Sequence, residues 1–298
     1  MRLDTIVIGT DFSPASTAAA TWVATSLAPR AKLALIHALE PPARPPFLAA
    51  NSLPAEVLEN DARSAALDQL CELSRGFGSR VSRVEVRVGR ASDVIKQFAV
   101  DVGADLIVVG RHGIRSHRSL LLGTTADSLV RDATVPVLVG PRAPLRGRTR
   151  VIAGVVDASV AARVLTWAGV AARQLGARLT TIHAIEPAAY AHMASMAAAH
   201  SHGDPIADEL VLEAERQQLA LRWLNECSRA HIDPSHVDPI VQEGLADEVI
   251  LERAARERAA LIVLGSHENT PPLPPRMGRT VRHVLHGARC AVLVITPA

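Results

Sequence analysis

The stretch ADLIVVGRHGIRSHRSLLLGTT, residues 104–125, holds an apolar run, a glycine-containing loop and the start of a helix, in that order. Residues 106–109 are continuously apolar and rich in valine and isoleucine, which is typical of a strand buried on both faces. Gly123 is followed by two threonines and a segment of helical periodicity. Strand, loop and helix in this order form the repeating unit of a parallel α/β sheet.

The same alternation runs through the whole first half of the chain. Predicted strands are TIVIGT, KLALIHAL, RVEVRV, DLIVVG and VPVLVG, beginning at residues 5, 32, 83, 105 and 135. The segments between them have a 3.6-residue period, with Ser or Asp at their starts and Gly at their ends, as expected for capped helices. We therefore predict a doubly wound, Rossmann-like, five-stranded parallel sheet flanked by helices, with ligands bound beyond the carboxyl ends of the strands.

The second half of the chain repeats the first. KLALIHALEPP at residue 32 is answered by RLTTIHAIEPA at residue 178, and in this register Asp11 corresponds to Asp157. Further along, Gly110 corresponds to Gly265, and the offset has grown from 146 to 155 residues. One duplication of a large domain explains this pattern better than a solenoid, whose repeats span roughly 20 to 50 residues.

The repeat divides the chain into two α/β domains. The predicted boundaries are residues 1–142 for the first domain, 143–148 for a linker rich in proline and arginine, and 149–298 for the second domain. The change of offset places an insertion in the second domain at about residues 188–205.

Composition excludes several classes of function. The formal net charge is +2 and aromatic residues make up 3% of the chain, so neither a basic nucleic-acid surface nor a base-stacking platform is indicated. Apolar runs stay shorter than the ~18 residues of a membrane span. The three cysteines are far apart and form no CxxC pair, which predicts buried thiols in a reducing, cytoplasmic compartment.

The loop with Gly110, Gly113 and Gly123 is a candidate anion site. Glycine lets a ligand approach main-chain N–H groups without a Cβ in the way, and the helix opening at Thr124 and Thr125 offers free N–H groups and hydroxyls. The loop lacks the lysine of a Walker motif and the spacing of GxGxxG. The alternative is a tight turn followed by a threonine N-cap, without a ligand.

Charged residues beside this loop have two interpretations each. Asp11 ends the first predicted strand, where its carboxylate can accept hydrogen bonds from a ribose or can cap the following helix. Arg111, Arg115 and Arg118 either neutralise phosphate charge or belong to a solvated loop.

The motifs VIGTDFSPAS, LALIHALEP, ADLIVVGRHG, the Gly123–Thr124 pair and ATVPVLV resemble those of a tandem universal stress protein. The resemblance covers both halves, essentially the whole chain. It implies a five-stranded parallel sheet in each half. In the ATP-binding branch of the family it also implies an adenine nucleotide, ATP, ADP or AMP, held by the glycine loop.

Carried over by position, the resemblance implies a nucleotide site in the first domain. It places Thr10 and Asp11 near the adenosine, with Asp11 on the ribose, and Ala38 beside the adenine. Around the phosphates it places Val109, Gly110, His112, Gly113, Gly123, Thr124 and Thr125. It further implies that the last strands dock the two halves as an internal pseudo-dimer, and it leaves open whether two chains form a homodimer.

The second domain departs from this loop pattern. Its sequence GSHENTPPLPPRMGRT keeps Gly265 and Gly278 but has Glu268 in place of the middle glycine and Arg279 in place of the threonine. A carboxylate repels phosphates, and four prolines remove N–H donors. We therefore expect no nucleotide in the second domain.

The second domain also carries histidines and methionines in and near its insertion. Imidazole, thioether and carboxylate groups are metal ligands, which makes a metal site one hypothesis. Its candidate ligands are His183, His192, His200, His202 and Glu268. The alternatives are an apolar packing face and an exposed loop, since no CxxC or HExxH motif anchors the set.

The favoured function is a stress-response regulator that binds an adenine nucleotide in its first domain. No catalytic residue is assigned, because the loop lacks an acidic pair for Mg²⁺ and a phosphate-binding lysine, so ATP hydrolysis is slow at best. The alternatives are a nucleotide-free interaction module, and a metal or small-molecule binder, hydrolytic or not, that acts through the second domain.

Overall fold

The computed structural model describes residues 3–40, 55–113, 122–142, 147, 150–155, 158–201, 205–266 and 277–296. The chain forms two compact units, Arg2–Pro141 and Arg142–Pro297, here called the first and second unit. The predicted linker, residues 143–148, lies outside the described residues except for Gly147.

The first unit alternates strands and helices as the sequence predicts. Its elements are β1 (Thr5–Gly9), α1 (Pro14–Trp22), β2 (Lys32–Leu39), α2 (Ala55–Arg75), β3 (Val81–Val88), α3 (Ala91–Asp101), β4 (Leu106–Val109), α4 (Thr124–Asp132) and β5 (Val137–Val139). A π-helical turn, Val23–Leu27, extends α1, and a 3-10 turn, Gly78–Arg80, precedes β3.

The five strands of the first unit form a parallel sheet in the order β3-β2-β1-β4-β5. Ile6, Val7 and Ile8 of β1 are fully buried, because helices cover both faces of a parallel sheet. This burial explains the continuous apolar runs of the sequence. The prediction of a five-stranded parallel α/β sheet is confirmed for this unit.

The second unit has the same architecture and one more helix among its described residues. Its elements are β6 (Arg150–Gly154), α5 (Ala158–Leu175), β7 (Arg178–Ile185), α6 (Pro187–Ser201), α7 (Pro205–Arg229), β8 (Val237–Glu243), α8 (Ala246–Arg256), β9 (Leu261–Gly265), α9 (Arg279–Gly287) and β10 (Ala291–Ile295). Its strands are parallel in the order β8-β7-β6-β9-β10, which again confirms the prediction.

Strand pairing refines the register of the repeat. Gly9 of β1 pairs with Ile36, and Gly154 of β6 pairs with Ile182. The offset between the units is therefore 145 residues at the end of their first strands and 146 in their second strands. One extra residue therefore lies between the first and second strands of the second unit, and Asp157, in that interval, lies outside the described residues.

The cysteines differ in exposure. Cys227 and Cys290 are buried as predicted, but Cys71 is exposed, so the prediction of three buried thiols is wrong for Cys71. The inner face of α2 is formed by Ala66 and Leu70, and Cys71 lies next to Leu70 on the outer face. Burial, followed by the nearby negative charge of Glu226, raises the pKa of the Cys227 thiol to about 11.

This difference predicts selective alkylation. At pH 8 only about one part in a thousand of Cys227 is thiolate, and burial also hinders access, so iodoacetamide should modify Cys71 alone in the folded protein. Intact-mass spectrometry should then find one adduct in the native protein and three after denaturation. A Cys71→Ser variant serves as the control and should stay unmodified when folded. Native labelling of Cys227 as fast as that of Cys71 would contradict the burial.

No helix among the described ranges combines the length and the apolar character that a membrane span requires.

Candidate functional site

The carboxyl ends of β1 and β4 lie side by side, since Gly9 pairs with Val109. The chain leaves β1 toward β2 on one side and leaves β4 toward β5 on the other, so the strand order reverses between them. Open α/β sheets bind ligands at such a switch point. Residues 10–13 follow β1 here and residues 110–113 follow β4, which brings together the two segments predicted to form the site.

The turn after β1 is built from side-chain hydrogen bonds. Ser13 caps α1, with its Oγ accepting the N–H of Ser16 at 3.2 Å. The Thr10 Oγ1 atom accepts the N–H of Phe12 at 3.0 Å and lies 3.0 Å from the Ser16 hydroxyl. Asp11 is therefore not the helix cap, which corrects one of its two interpretations; its Oδ1 instead accepts the N–H of Ser13 at 3.1 Å.

Asp11 and Gly113 meet across the site. A Cβ atom built on Gly113 would lie 2.5 Å from Asp11 Oδ2, so the carboxylate lies directly against the main chain of the glycine loop. A side chain at position 113 would displace the carboxylate. The residue predicted to contact a ribose is thus next to a residue predicted to contact phosphates.

Packing against α1 requires a glycine at position 110, whether or not a ligand binds. A Cβ atom at this position would lie 2.7 Å from the main-chain N of Ser16 and 2.9 Å from its Cα. These are backbone atoms in the first turn of α1, which cannot move aside as a side chain can. The end of β4 therefore approaches α1 at a distance that only glycine permits.

Helix α4 begins without a side-chain cap. Gly123 is the N-cap residue, and Thr124 is the first helical residue, so the alternative of a threonine N-cap is wrong. The Gly123 N–H donates to the Arg111 carbonyl at 2.8 Å and closes the loop at its base. N–H groups in the first turn of an uncapped helix, together with the helix dipole, favour an anion.

Arg111 is not the solvated loop residue of one of its two interpretations. Its side chain is only 1% exposed, and its Nε–H donates to the Gly140 carbonyl at 3.3 Å. This burial rules out the solvated-loop interpretation, and the neutralisation of phosphate charge by Arg111 stays a prediction. Arg115 and Arg118 lie outside the described residues.

The other predicted residues lie around the same sheet edge. Ala38 is half-buried near the end of β2, and Val109 is the buried last residue of β4. The carbonyl of His112 accepts the Ser13 hydroxyl at 3.4 Å. In the first turn of α4, Thr124 is exposed and Thr125 is half-buried.

Two further residues, His37 and Glu40, support the site; the sequence places them at the carboxyl end of the second predicted strand but assigns them no contact with a ligand. His37 Nδ1 lies 2.8 Å from the Thr10 carbonyl, and because a carbonyl only accepts, the ring nitrogen donates. The His37 ring stacks on Phe12, with ring centroids 4.6 Å apart, and Phe12 has a φ of 63°. Glu40 Oε1 accepts the N–H of Ala91 at 3.0 Å and caps α3.

The repeat is the sequence signal that points to these two residues, because His37 and Glu40 recur as His183 and Glu186, 146 residues later. His183 Nδ1 lies 3.0 Å from the Val155 carbonyl, the bond that His37 makes in the first unit. Both units therefore use this histidine to tie the second strand to the turn after the first.

In the second unit, charged side chains join α8 and α9. Asp247 is 7% exposed, its Oδ2 lies 2.6 Å from His283 Nδ1, and its Oδ1 lies 3.7 Å from Arg279 Nη2. The first unit has hydroxyl residues at the three equivalent positions, Ser92, Thr124 and Ser128. The second unit therefore has a carboxylate, with two side-chain partners, at a place where the first unit has uncharged hydroxyl groups.

Removing the Asp247 carboxylate should destabilise the second unit. Asp247→Ala removes the acceptor of His283 Nδ1, and because the His283 side chain is 45% exposed, water replaces part of this bond, so we expect the free energy of unfolding to fall by about 0.5–1.5 kcal/mol. Urea unfolding followed by tryptophan fluorescence measures it, because Trp167 and Trp223 lie in the second unit and Trp22 lies in the first. The matched control is Ser92→Ala, because the buried Ser92 hydroxyl has no hydrogen-bond partner among the described residues and should cost little. Equal losses in both variants would contradict a stabilising role for the Asp247 pair.

The metal hypothesis finds no support among the described residues, where no three His, Cys, Asp or Glu side chains form a group able to hold an ion. His183 lies against Trp223, with ring centroids 5.5 Å apart, and His192 is exposed on α6. The His200 side chain, His202 and Glu268 lie outside the described part of the chain.

Comparison with protein families decides the identity of both units. The model of the universal stress protein family matches residues 2–141 and again residues 147–296. The chain belongs to the universal stress protein family. Its two matches make it a tandem universal stress protein, as the sequence motifs indicate.

Curated relatives match this universal stress protein over short segments. Universal stress protein G of Shigella flexneri is 34% identical over 85 residues, which is 27% of this chain and 58% of the relative. Universal stress protein G of Salmonella typhimurium is 41% identical over 59 residues, 19% of this chain and 39% of the relative. The chain thus spans between 39% and 58% of the length of these two relatives.

Solved structures match over the full length. A universal stress protein from Archaeoglobus fulgidus superposes with a TM-score of 0.67 at 17% identity and covers 100% of both chains. A structure described as a universal stress protein from Pseudomonas aeruginosa gives a TM-score of 0.65 at 19% identity, covering 99% of this chain and 94% of its own. At these identities the likeness establishes the fold alone.

Proposed function

We propose that this tandem universal stress protein is a stress-response regulator that binds an adenine nucleotide, ATP, ADP or AMP, in its first unit. The observation that carries the proposal is the approach of the Asp11 carboxylate to the main chain of Gly113 at the sheet's switch point. It sets an acceptor for ribose hydroxyls beside main-chain donors for phosphates.

Each part of a nucleotide has a matching group in this arrangement. Asp11 Oδ2 faces the glycine loop and is placed to accept a ribose hydroxyl. The uncapped first turn of α4, which begins at Thr124, offers N–H donors and a favourable dipole to phosphates. Ala38, near the end of β2, has a short side chain, which suits a flat base beside it.

The described residues favour binding over turnover. Rapid phosphoryl transfer needs a bound metal and groups that stabilise charge on the reacting phosphate. Asp127, the acidic residue in the first turn of α4, forms an ion pair with Arg131. ATP hydrolysis should therefore be slow, and bound nucleotide acts as a signal by shifting the population of conformations.

For the second unit an interaction role without nucleotide is favoured. Arg279, the first residue of α9, lies 3.7 Å from Asp247 Oδ1, which places a carboxylate beside the helix start equivalent to the proposed phosphate-binding turn of α4. The docking of the two units through their last strands as a pseudo-dimer, and the pairing of two chains, stay predictions.

Mass spectrometry of small molecules released from freshly purified protein tests the proposal, followed by calorimetric titration of the stripped protein with ATP, ADP and AMP. We expect one adenine nucleotide per chain. Protein that releases no nucleotide and shows no binding of any of the three would overturn the proposal. Two nucleotides per chain would overturn the interpretation of the second unit, and elemental analysis of the same sample tests for metal.

A further inference from the structure

Arg111 connects three elements at the base of the glycine loop. It follows Gly110 at the end of β4, and its Nε–H donates to the Gly140 carbonyl, 3.3 Å away, just after β5. Its own carbonyl accepts the N–H of Gly123, 2.8 Å away, at the start of α4. One residue therefore links the end of β4, the end of β5 and the first turn of α4.

The second unit makes the same side-chain link with a different residue. Ser266 is equivalent to Arg111 and Ile295 is equivalent to Gly140, each at an offset of 155 residues. The Ser266 hydroxyl donates to the Ile295 carbonyl at 3.3 Å, and the Ser266 N–H reaches the same carbonyl at 2.9 Å. In both units, the residue that follows the glycine at the end of the fourth strand thus donates a side-chain hydrogen bond to a carbonyl at the end of the fifth strand.

The common feature of the two units is the hydrogen bond and not the charge. A carbonyl oxygen has two lone pairs, and the Ile295 carbonyl accepts both the N–H and the hydroxyl of Ser266. Serine therefore adds a side-chain bond to the main-chain bond at the strand end without adding a charge. Because the link recurs in the unit whose loop departs from the glycine pattern, it acts on the loop base and does not depend on contact with a phosphate.

We propose that Arg111 is a positioning residue of the site in the first unit. Its side chain ties the start of the glycine loop to the end of β5, and its carbonyl holds Gly123 at the start of α4. These two bonds keep the main chain around Gly113 and the first turn of α4 aligned toward one ligand. The nucleotide in this inference rests on the proposed function above.

The test compares Arg111→Ser with Arg111→Ala. Both variants remove the guanidinium group and nearly the same volume, and they differ by one hydroxyl that Ser266 shows to be within reach of the carbonyl. We expect Arg111→Ser to bind ATP within about threefold of the wild type and Arg111→Ala to bind about tenfold more weakly, since one hydrogen bond separates them. Rescue by serine is the outcome that a role in charge or volume alone would not produce.

Two results overturn the inference or separate it from the proposed function. Equal loss of ATP affinity in both variants would overturn the positioning role. If the wild type binds no nucleotide, the proposed function fails, and hydrogen exchange of the Gly123 amide still tests the link. The amide should exchange at the wild-type rate in Arg111→Ser and about tenfold faster in Arg111→Ala, and equal rates in all three proteins would refute the link.

Discussion

Gly113→Glu should weaken ATP binding by at least about 100-fold while the first unit stays folded. A Cβ at this position would lie 2.5 Å from Asp11 Oδ2, so the carboxylate must move away from the loop. The new carboxylate also adds a negative charge where the phosphates are proposed to bind, and like charges at short range cost several kcal/mol when partly buried. The second half of the chain carries Glu268 at the corresponding loop position.

Calorimetric titration with ATP and with adenosine separates the two causes. Adenosine lacks phosphates, so its affinity should fall far less than that of ATP. Gly113→Ala is the matched control, because it introduces the Cβ without the charge and the Asp11 side chain can rotate aside; we expect a loss of roughly threefold to tenfold. ATP affinity within threefold of the wild type in Gly113→Glu would refute the proposed position of the phosphates.

Gly110→Ala should have the largest effect on stability among the substitutions considered. Its Cβ would lie 2.7 Å from the main-chain N and 2.9 Å from the Cα of Ser16, and these backbone atoms move only if α1 shifts. Overpacking of this kind lowers the free energy of unfolding by about 2–3 kcal/mol. Calorimetric melting should show this loss in the first unit, together with weaker nucleotide binding because α1 and the Asp11 turn move together.

The equivalent position in the second unit provides the control. A Cβ on Gly265 would meet side-chain atoms only, Val160 Cγ1 at 2.2 Å and Val164 Cγ2 at 3.2 Å. The valine side chains can relieve the contact only by leaving their preferred helical rotamer, which costs less than moving a helix backbone, so Gly265→Ala should cost less than Gly110→Ala, about 1–2 kcal/mol. A larger loss in Gly265→Ala than in Gly110→Ala would show that the contact with Ser16 does not decide the requirement for glycine.

Much of the candidate site could be predicted because its parts occur at recognisable places along the chain. Apolar strands end at Gly9 and Val109, and parallel strands bring their carboxyl ends to one edge, so Asp11 and the glycine loop had to lie near each other. The role of each side chain at that edge was less predictable. Thr10 was expected near a ligand, yet its hydroxyl bonds inside the turn with Phe12 and Ser16.

The misassigned residues share one physical cause. A solvated loop position was one of the two interpretations of Arg111, because charged side chains usually face solvent, but its side chain is buried and donates to the Gly140 carbonyl, 29 residues later and just after β5. Cys71 was read as buried because free cysteines usually are, but the rotation of α2 places it outside. Each outcome depends on which neighbour packs against the residue, and no local pattern specifies that neighbour.

The sequence by itself determined the alternation of strands and helices, the duplication and the family, because periodicity, capping residues and glycine spacing act over a few neighbouring residues. Only the tertiary structure decided that Asp11 lies against Gly113, that Arg111 ties β4 to β5, and that Asp247 pairs with His283. These pairs are distant in sequence, and they meet only where two packed elements bring their backbones to within one side-chain length.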